Sequence, residues 1–291
     1  MRAKSLIITL FGDVISQHGG EIWLGSIARS VEALGVNDRL VRTSVFRLVK
    51  EGWLEVEREG RKSFYGFTRS GSKEYQRAAQ RIYSAGDDSW HGSWQLLLPT
   101  NLPETQRDDF RRSLHWLGFR AISNGTFARP GGDEESIRDL LDEFDLSSGV
   151  VVMAAKTASL TTARQWRELV SDHWQLDNLE EEYRQIIGLF RPLKKALDKG
   201  KLPTPLEAFQ ARLLLIHEYR RILLRDTPLP SDLLPNRWQG TVARQLAQAL
   251  YRDLAKPSST YIQNELVNRQ GRLPESEHYF YQRFGGISKD L

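Results

Sequence analysis

Residues 41–67, VRTSVFRLVKEGWLEVEREGRKSFYGF, decide the fold prediction because a helix pattern passes directly into a hairpin pattern. The apolar residues that share one helix face are Val41, Val45, Leu48 and Val49. The strings WLEVE and SFYGF then alternate as strands do, and REGRK between them carries Gly60 for the turn. This segment therefore predicts an amphipathic helix followed by a two-stranded hairpin.

The flanking residues extend this pattern to a module of residues 1–86. Gly19 and Gly20 end a first amphipathic helix, Ser26 is a candidate cap for a second, and Asn37 or Asp38 caps the third. The residues after the hairpin return to a helical pattern. The order helix, helix, helix, hairpin, helix is that of a winged helix-turn-helix, which is a DNA-binding fold.

Polar and basic residues occupy the side of the third helix that is opposite its apolar face. A helix turns about 100° per residue, which brings Arg39, Thr43, Arg47 and Lys50 together. A charged stripe on one helix is often only a solvated face, but here the stripe, the basic hairpin tip and the element order agree. We therefore predict that the helix enters a major groove while the hairpin contacts phosphates or a minor groove. The candidate DNA-binding residues are Arg39, Arg42, Thr43, Ser44, Arg47, Lys50, Arg58, Arg61 and Lys62.

The roles of one arginine and of two glutamates on this surface stay open. Arg42 lies at the border of the stripe, so it either reaches DNA or braces the fold. Glu57 and Glu59 flank the hairpin tip, where they either offset the positive charge or orient the arginines.

The rest of the chain predicts two further domains, which makes the fold class α+β. Residues 87–155 read as β-α-β-β-α-β, the split unit of ferredoxin-like domains. Residues 156–291 read as mostly helical, with a helix start at Thr204, a kink at Pro192 and a loop-rich tail from Pro257. We expect this last domain to bind an effector or to form the dimer.

Charge alternates along these three segments. Residues 1–85 hold 14 Lys and Arg against 9 Asp and Glu, whereas residues 86–155 hold 6 against 12 and the remainder is basic again. The net charge of the whole chain is +4. A basic N-terminal module suits a phosphate backbone, and an acidic central domain is unsuited to be the main nucleic-acid surface.

Composition and motifs give no support for an enzyme. The chain has no cysteine, so disulfides, a thiol nucleophile and cysteine–zinc sites are excluded. None of the six histidines forms a close ligand pair, and no phosphate-binding glycine loop or nucleophile elbow is present. We expect no catalytic residue, no metal and no cofactor. A ferredoxin-like nuclease stays as an alternative, although Pro99-Thr100 at the end of the first central strand supplies no carboxylate for a metal.

The N-terminus superficially resembles a signal peptide, with two early positive charges and an apolar run. Asp13 interrupts that run, and no small-residue cleavage pattern follows. No apolar run approaches the length of about 20 residues that spans a bilayer. We expect a cytoplasmic protein with no membrane partner.

A second candidate site lies in HEYRRILLRDTPLPSDLLPNRWQG, residues 217–240. The candidate effector-binding residues are His217, Arg220, Arg221, Arg225 and Trp238. Such a cluster suits the phosphates of a small anionic ligand that also has an apolar portion. The alternative is an ion-pair network, with Asp226 and Asp232 as partners, that holds the proline-rich segment to the helix.

Several separated strings together resemble the PaaX-type repressors of phenylacetic acid degradation. They are GGEIWLGSIARSVEALG, VRTSVFRLVKEGWLEV with GRKSFYGFT, LLLIHEYRRILLRD, LLPNRWQG and YFYQRFGG. The resemblance covers nearly the whole chain. Thr227-Pro228 and Gln239 depart from the family pattern, which affects only the expected geometry of the proline-rich segment.

The resemblance implies a homodimeric repressor of genes for phenylacetate catabolism that binds double-stranded operator DNA. It also implies that phenylacetyl-coenzyme A is the effector that releases the DNA. A regulator of the same architecture that answers another acyl-CoA or an aromatic acid is the alternative. The matching strings do not assign individual ligand contacts.

Overall fold

The computed structural model describes residues 3–84, 90–132, 134–158, 160–227 and 229–287. The chain divides into two compact units. The first unit comprises Met1–Ala85, Glu182–Arg225 and Gln239–Leu291, and the second comprises Gly86–Glu181 and Asp226–Trp238. These units do not coincide with the three consecutive domains expected from the sequence. Most of the C-terminal segment belongs to the same unit as the N-terminal module.

The N-terminal part of the first unit contains four helices and three strands. They are α1 (Ala3–Asp13), β1 (Glu21–Trp23), α2 (Leu24–Glu32), α3 (Asp38–Lys50), β2 (Leu54–Glu59), β3 (Lys62–Phe67) and α4 (Arg69–Ile82). Helix α2 begins before Ser26, which is buried inside the helix rather than capping it. Asn37 caps α3, since its side chain accepts a hydrogen bond from the Leu40 N–H at 2.9 Å.

The three strands form an antiparallel sheet in the order β1-β3-β2. Glu59 pairs with Lys62, so only Gly60 and Arg61 connect β2 to β3. Gly60 has a φ of 56°, which a two-residue hairpin turn requires at its first position. The predicted hairpin is therefore present, with Arg61 at its tip.

The C-terminal part of the first unit completes the core of the N-terminal helices. Its elements are the end of α8 (Leu176–Asp198), α9 (Pro205–Leu223), α10 (Gln239–Glu265), β8 (Val267–Asn268), β9 (Gly271–Arg272) and a 3₁₀ segment, His278–Gly285. Phe209, Leu213 and Ile262 are buried in one hydrophobic cluster with the apolar side chains of α1 to α3. Helix α9 is buried around most of its circumference because it is apolar on several sides.

One proline prediction in this region differs from the structure. Helix α10 continues through Pro257 to Glu265, so the expected loop-rich tail begins later. Pro192 lies inside α8, within the helix that the sequence predicts around it. The capping box predicted at the start of α9 is present, with Thr204 accepting from the Glu207 N–H at 3.3 Å.

A buried ion cluster joins the three segments of the first unit. We call it the Asp13 cluster; its members are Asp13, Tyr83, Arg212, Tyr251 and Arg283. Asp13 Oδ2 accepts from Arg212 Nε at 3.0 Å, and Asp13 Oδ1 accepts from Arg283 Nη1 at 2.9 Å. The hydroxyls of Tyr83 and Tyr251 each donate to the same carboxylate at 2.7 Å.

The second unit contains the central β-α-β-β-α-β order that the sequence predicts. Its elements are β4 (Ser93–Pro99), α5 (Arg107–Trp116), β5 (Arg120–Ser123), β6 (Thr126–Pro130), α6 (Glu135–Glu143), β7 (Val150–Lys156) and α7 (Ala163–Trp174), with the start of α8. The antiparallel sheet has the order β5-β6-β4-β7, which is the order of a split βαβ unit. Phe110, Leu114 and Phe127 belong to its buried core.

Candidate nucleic-acid interface

Helix α3 has one buried and one exposed side. Val41, Val45 and Leu48 are fully or almost fully buried against the core of the first unit. On the opposite side, the exposed residues are Arg39, Arg42, Thr43, Arg47 and Lys50. The sequence-predicted stripe therefore lies on the solvent side of the helix.

Ser44 does not belong to this exposed surface, although it is one of the candidate DNA-binding residues. Only 8% of the residue is accessible. The reason is the helical period, because Ser44 lies three residues after Val41 and four before Leu48, both of which are buried. Ser44 consequently faces the protein interior.

Arg42 is exposed, and it is also held in place by its own helix. Its Nε donates to Asp38 Oδ2 at 2.6 Å, one turn earlier. This hydrogen bond and the charge of Asp38 raise the pKa of the Arg42 guanidinium. The side chain thus stays on the solvent side with a fixed direction, and it does not brace the core.

The other cations of the stripe and the tip are available to an external anion. In the part of the chain that the structure describes, these side chains form no ion pair with another residue: Arg39, Arg47, Lys50, Arg58 and Arg61. The Thr43 hydroxyl donates to the Arg39 carbonyl at 2.9 Å, so its lone pairs remain available as acceptors. A row of cations on one surface raises the local concentration of a polyanion.

Lys62, beside the turn of the hairpin, and Arg29 of α2 both lie against the Trp23 ring. The Lys62 ammonium lies 5.4 Å from the centre of the Trp23 ring, and the Arg29 guanidinium lies 5.8 Å from it. Contacts of this length are favourable cation–π interactions. They hold both charges near the surface where β1 meets β3.

One of the two flanking glutamates is neutralised by a residue from the far end of the chain. Arg269 follows β8 and forms an ion pair with Glu57 as well as a 2.7 Å contact with Glu21. The negative charge of Glu57 is therefore compensated locally, which leaves the tip more positive than its sequence indicates. Sequence reasoning did not find Arg269, since 212 residues separate it from Glu57.

Two of the candidate effector-binding residues are part of the core of the first unit. His217 is 2% exposed, with Nδ1 lying 3.4 Å from the Thr9 hydroxyl, and burial lowers its pKa to about 4. Arg220 is 7% exposed and donates to the Ser5 hydroxyl at 3.4 Å. Both side chains pack α9 against α1 and are not open to a ligand.

Of the remaining effector-binding candidates, Arg221 and Arg225 form ion pairs in the first unit, whereas Trp238 lies in the second unit. Arg225 pairs with Glu182, and Arg221 lies 3.0 Å from Glu218 and 3.8 Å from Glu182. The observed partners of the two arginines are therefore Glu182 on α8 and Glu218 on α9. Trp238 belongs to the second unit and is buried there.

The second unit has a cavity of about 410 Å³ that combines cations with aromatic rings. Its lining residues include Arg111, His115, Phe119, Arg120 and Phe127, and none of the lining residues that the structure describes is a carboxylate. Arg120 Nη1 donates to the carbonyls of Phe119 at 2.9 Å and His115 at 3.3 Å, which fixes the guanidinium. Burial lowers the pKa of Arg120 to about 10, although Asp226 opposes this shift. An anion with a flat apolar part suits such a cavity.

Three family models match this chain in separate segments. Residues 2–71 match the PaaX-like protein family, residues 87–167 match the central Cas2-like domain of PaaX proteins, and residues 174–264 match the PaaX-like C-terminal domain. A relative from Escherichia coli (strain K12), described as "Transcriptional repressor PaaX", is 39% identical over 288 residues. That alignment covers 98% of this chain and 90% of the relative.

The chain belongs to the PaaX family. Among solved structures, an uncharacterised protein of Mycobacterium tuberculosis is similar with a TM-score of 0.52 and 20% identity. The match covers 80% of this chain and 88% of that one. At this identity the likeness concerns the fold alone.

Metal sites and membrane spans are both lacking in the described part of this PaaX-family chain. Over those residues, no group of three or more His, Asp or Glu side chains is placed to hold a metal ion. Within the same ranges, every helix is too short or too polar to cross a bilayer.

Proposed function

We propose that this PaaX-family chain is a transcriptional repressor that binds operator DNA, acts on genes for phenylacetate catabolism and has no catalytic activity. The single observation that carries the proposal is the exposed row of uncompensated cations on α3 and the hairpin tip. The 39% identical relative, a transcriptional repressor, supports the same function.

The N-terminal helices and hairpin suit a winged helix-turn-helix. Helix α3 would then be the recognition helix, because a B-DNA major groove of about 12 Å width admits an α-helix. Arg39, Thr43 and Arg47 would contact base edges or adjacent phosphates. Arg58, Arg61 and Lys62 at the hairpin would contact the neighbouring phosphate strand.

A homodimer is the form of the protein that suits an operator. Two copies related by a two-fold axis would place their α3 helices in successive major grooves, with centres about 34 Å apart. The operator would then be a palindrome with that half-site spacing. Such a dimer would repress transcription by occupying the promoter. A cytoplasmic location would give it access to bacterial DNA.

The proposed function is tested by fluorescence anisotropy at fixed salt. The labelled duplex is the promoter region beside the gene for this chain, and a shuffled duplex of equal composition is the control. Specific operators are bound about 10³-fold or more tightly than other DNA. Equal affinity for the two duplexes would contradict the proposal.

The proposed effector is phenylacetyl-coenzyme A, with another acyl-CoA or an aromatic acid as the alternative. The ligand can release DNA only if it binds the DNA-free form of the protein more tightly than the DNA-bound form. Coupling free energies between two such binding sites are typically about 1–3 kcal/mol. The cavity of the second unit is the better candidate site, since Arg111 and Arg120 suit phosphates and Phe119 and Phe127 suit a phenyl group. The candidates on α9, and Arg225 just after it, are either buried or already paired.

Thermal unfolding with a panel of ligands tests the effector and its site together. The panel contains phenylacetyl-CoA, free CoA, other acyl-CoA thioesters and phenylacetate, and the true ligand raises Tm by mass action. We expect Arg111→Ala combined with Arg120→Ala to abolish that rise. The matched control, Arg221→Ala combined with Arg225→Ala, should keep it, and the reverse pattern would place the ligand at α9.

A further inference from the structure

Phe46 is a part of the exposed face of α3 that the proposed function does not use. It is 70% exposed although it is a large apolar side chain. Its neighbours on the helix are Arg42 and Thr43 one turn before and Lys50 one turn after. The ring therefore lies in the middle of the cationic row, not at its edge.

The fold of the first unit gives no reason for an aromatic ring at this position. The core side of α3 is already filled by Val41, Val45 and Leu48. Phe46 makes no ring contact with another aromatic residue in the described part of the chain. Single exposed apolar residues are common on proteins, but one enclosed by cations suits a partner that is both anionic and locally apolar.

A DNA major groove offers that combination at one kind of base. Its edges present hydrogen-bond donors and acceptors, and the apolar group among them is the C5-methyl of thymine. Phenylalanine is one of the side chains that contact this methyl. The surrounding phosphates complement the cations on either side of the ring.

We propose that Phe46 packs against the C5-methyl group of a thymine in each operator half-site and so determines specificity at that position. The inference rests on the proposed function and deepens it, since it assigns one base of the operator to one side chain. The Arg42 guanidinium, directed by Asp38, and the Lys50 ammonium contact phosphates one turn away on either side.

Deletion of a single methyl group from the DNA tests this contact. Each thymine of the minimal operator is replaced in turn by deoxyuridine, which lacks only the C5-methyl, and affinity is measured by anisotropy. Wild-type protein should lose about fourfold affinity at one symmetric position, since a buried methylene contributes about 0.8 kcal/mol. The Phe46→Ala variant should bind the thymine duplex less tightly and should not distinguish thymine from deoxyuridine there.

Two controls separate this contact from a general loss of binding. Arg47→Ala should bind less tightly to both duplexes while keeping the fourfold ratio at the Phe46 position. Phe46→Ala should unfold at the same urea concentration as wild type and keep its elution volume, because the ring is outside the core.

The outcomes distinguish this inference from the proposed function. A wild-type protein that binds its operator but tolerates deoxyuridine at every thymine overturns the role of Phe46. That role is also overturned if Phe46→Ala keeps the full discrimination or changes the oligomeric state. A wild-type protein without any specific operator overturns the proposed function itself, and the thymine contact with it.

Discussion

Arg42 and Arg47 differ in what surrounds them, although both project from the same side of α3. Asp38 holds the Arg42 guanidinium by a 2.6 Å hydrogen bond. Arg47 has no ion-pair partner among the described residues, so its full charge faces solvent. An external anion therefore gains more from Arg47, because no internal contact has to be weakened first.

Substitution of Arg47 by alanine should weaken operator binding without affecting the fold. A side chain that contacts a base edge or phosphate is worth about 1–3 kcal/mol, which is about 5- to 150-fold in Kd. Anisotropy at one salt concentration measures the loss. Arg164→Ala is the control, since Arg164 is exposed in the second unit and pairs there with Glu168. Equal affinity of Arg47→Ala and wild type would remove α3 from the interface.

The exposed side of α3 is predictable residue by residue from the helical period. The same period also excludes Ser44, which makes its inclusion among the candidates an error that the sequence alone could correct. By contrast, the role of Arg269 depends on a contact between distant segments. No local pattern around Arg269 indicates that contact.

At the scale of elements, the β2–β3 hairpin carries positive charge at its two-residue turn. Only Gly60 and Arg61 connect the paired residues Glu59 and Lys62. A two-residue turn of this kind matches the twist of its flanking strands. The cations Arg58, Arg61 and Lys62 therefore lie at or beside the turn of a fully paired hairpin.

Arg61→Ala should reduce the salt dependence of operator binding. Loss of one phosphate contact changes the slope of log K against log salt by about 1. Anisotropy titrations at four or more salt concentrations measure that slope. Glu59→Gln, which removes a negative charge at the same tip, should not reduce it. If Arg61→Ala leaves the slope unchanged, the hairpin tip does not contact phosphate.

Two predicted helix starts agree with the structure, whereas the predicted cap Ser26 does not. Asn37 and Thr204 cap their helices as expected, because a cap depends on residues within one turn. The predicted end of α10 at Pro257 was wrong, since tertiary packing keeps this helix intact past the proline. Neighbouring helices, not local sequence, decide such ends.

At the scale of the whole molecule, the Asp13 cluster links the N-terminal helix to the last residues of the first unit. Burial alone would raise the pKa of the Asp13 carboxyl, but the charges of Arg212 and Arg283 together with the hydrogen bonds from Tyr83 and Tyr251 outweigh burial, and the pKa is lowered. The carboxylate is therefore ionised at neutral pH. Its removal would leave two buried guanidinium groups without a counter-charge.

Asp13→Asn should destabilise the first unit strongly. Breaking a buried ion pair by removing one partner costs about 3–5 kcal/mol. Urea unfolding measures the free energy of unfolding. Lys4→Ala on the same helix is the matched control, because the exposed Lys4–Glu51 pair contributes at most about 1 kcal/mol. A similar small effect in both variants would show that the cluster does not hold the unit together.

As pH falls, the first unit should lose stability before the Asp13 carboxylate is protonated. Burial lowers the pKa values of His18 and His217 from 6.5 to about 4. Between these values the unfolded chain binds more protons than the folded one, so the free energy of unfolding falls as pH falls from 6.5 towards 4. Each histidine contributes a slope of up to about 1.4 kcal/mol per pH unit.

Urea unfolding at pH 7 and at pH 5 measures this dependence. His217→Gln should show a smaller difference between the two pH values than wild type. The contribution of Asp13 has the same sign but begins only near and below pH 3.8, since its pKa is lowered from that value. A free energy of unfolding that is constant from pH 7 to pH 5 would contradict the burial of both histidines.

The grouping of segments into two units was not predictable from the sequence. Residues 1–86 carry a complete set of helices and strands, and nothing in them shows that their core needs Phe209, Leu213 and Ile262. Long-range packing of this kind leaves no local pattern. The compact units differ from the consecutive domains for this reason, whereas the order of the elements within the first two segments agrees with the prediction.

The Asp13 cluster also limits how the protein can be rebuilt by gene fusion. A chimaera that borrowed only the first 85 residues would receive the carboxylate but neither of its arginines, together with a core open where α9 and α10 belong. A deletion that ended before Arg283 would damage the same module from the opposite end of the gene. A transplantable version must therefore carry both ends of the chain.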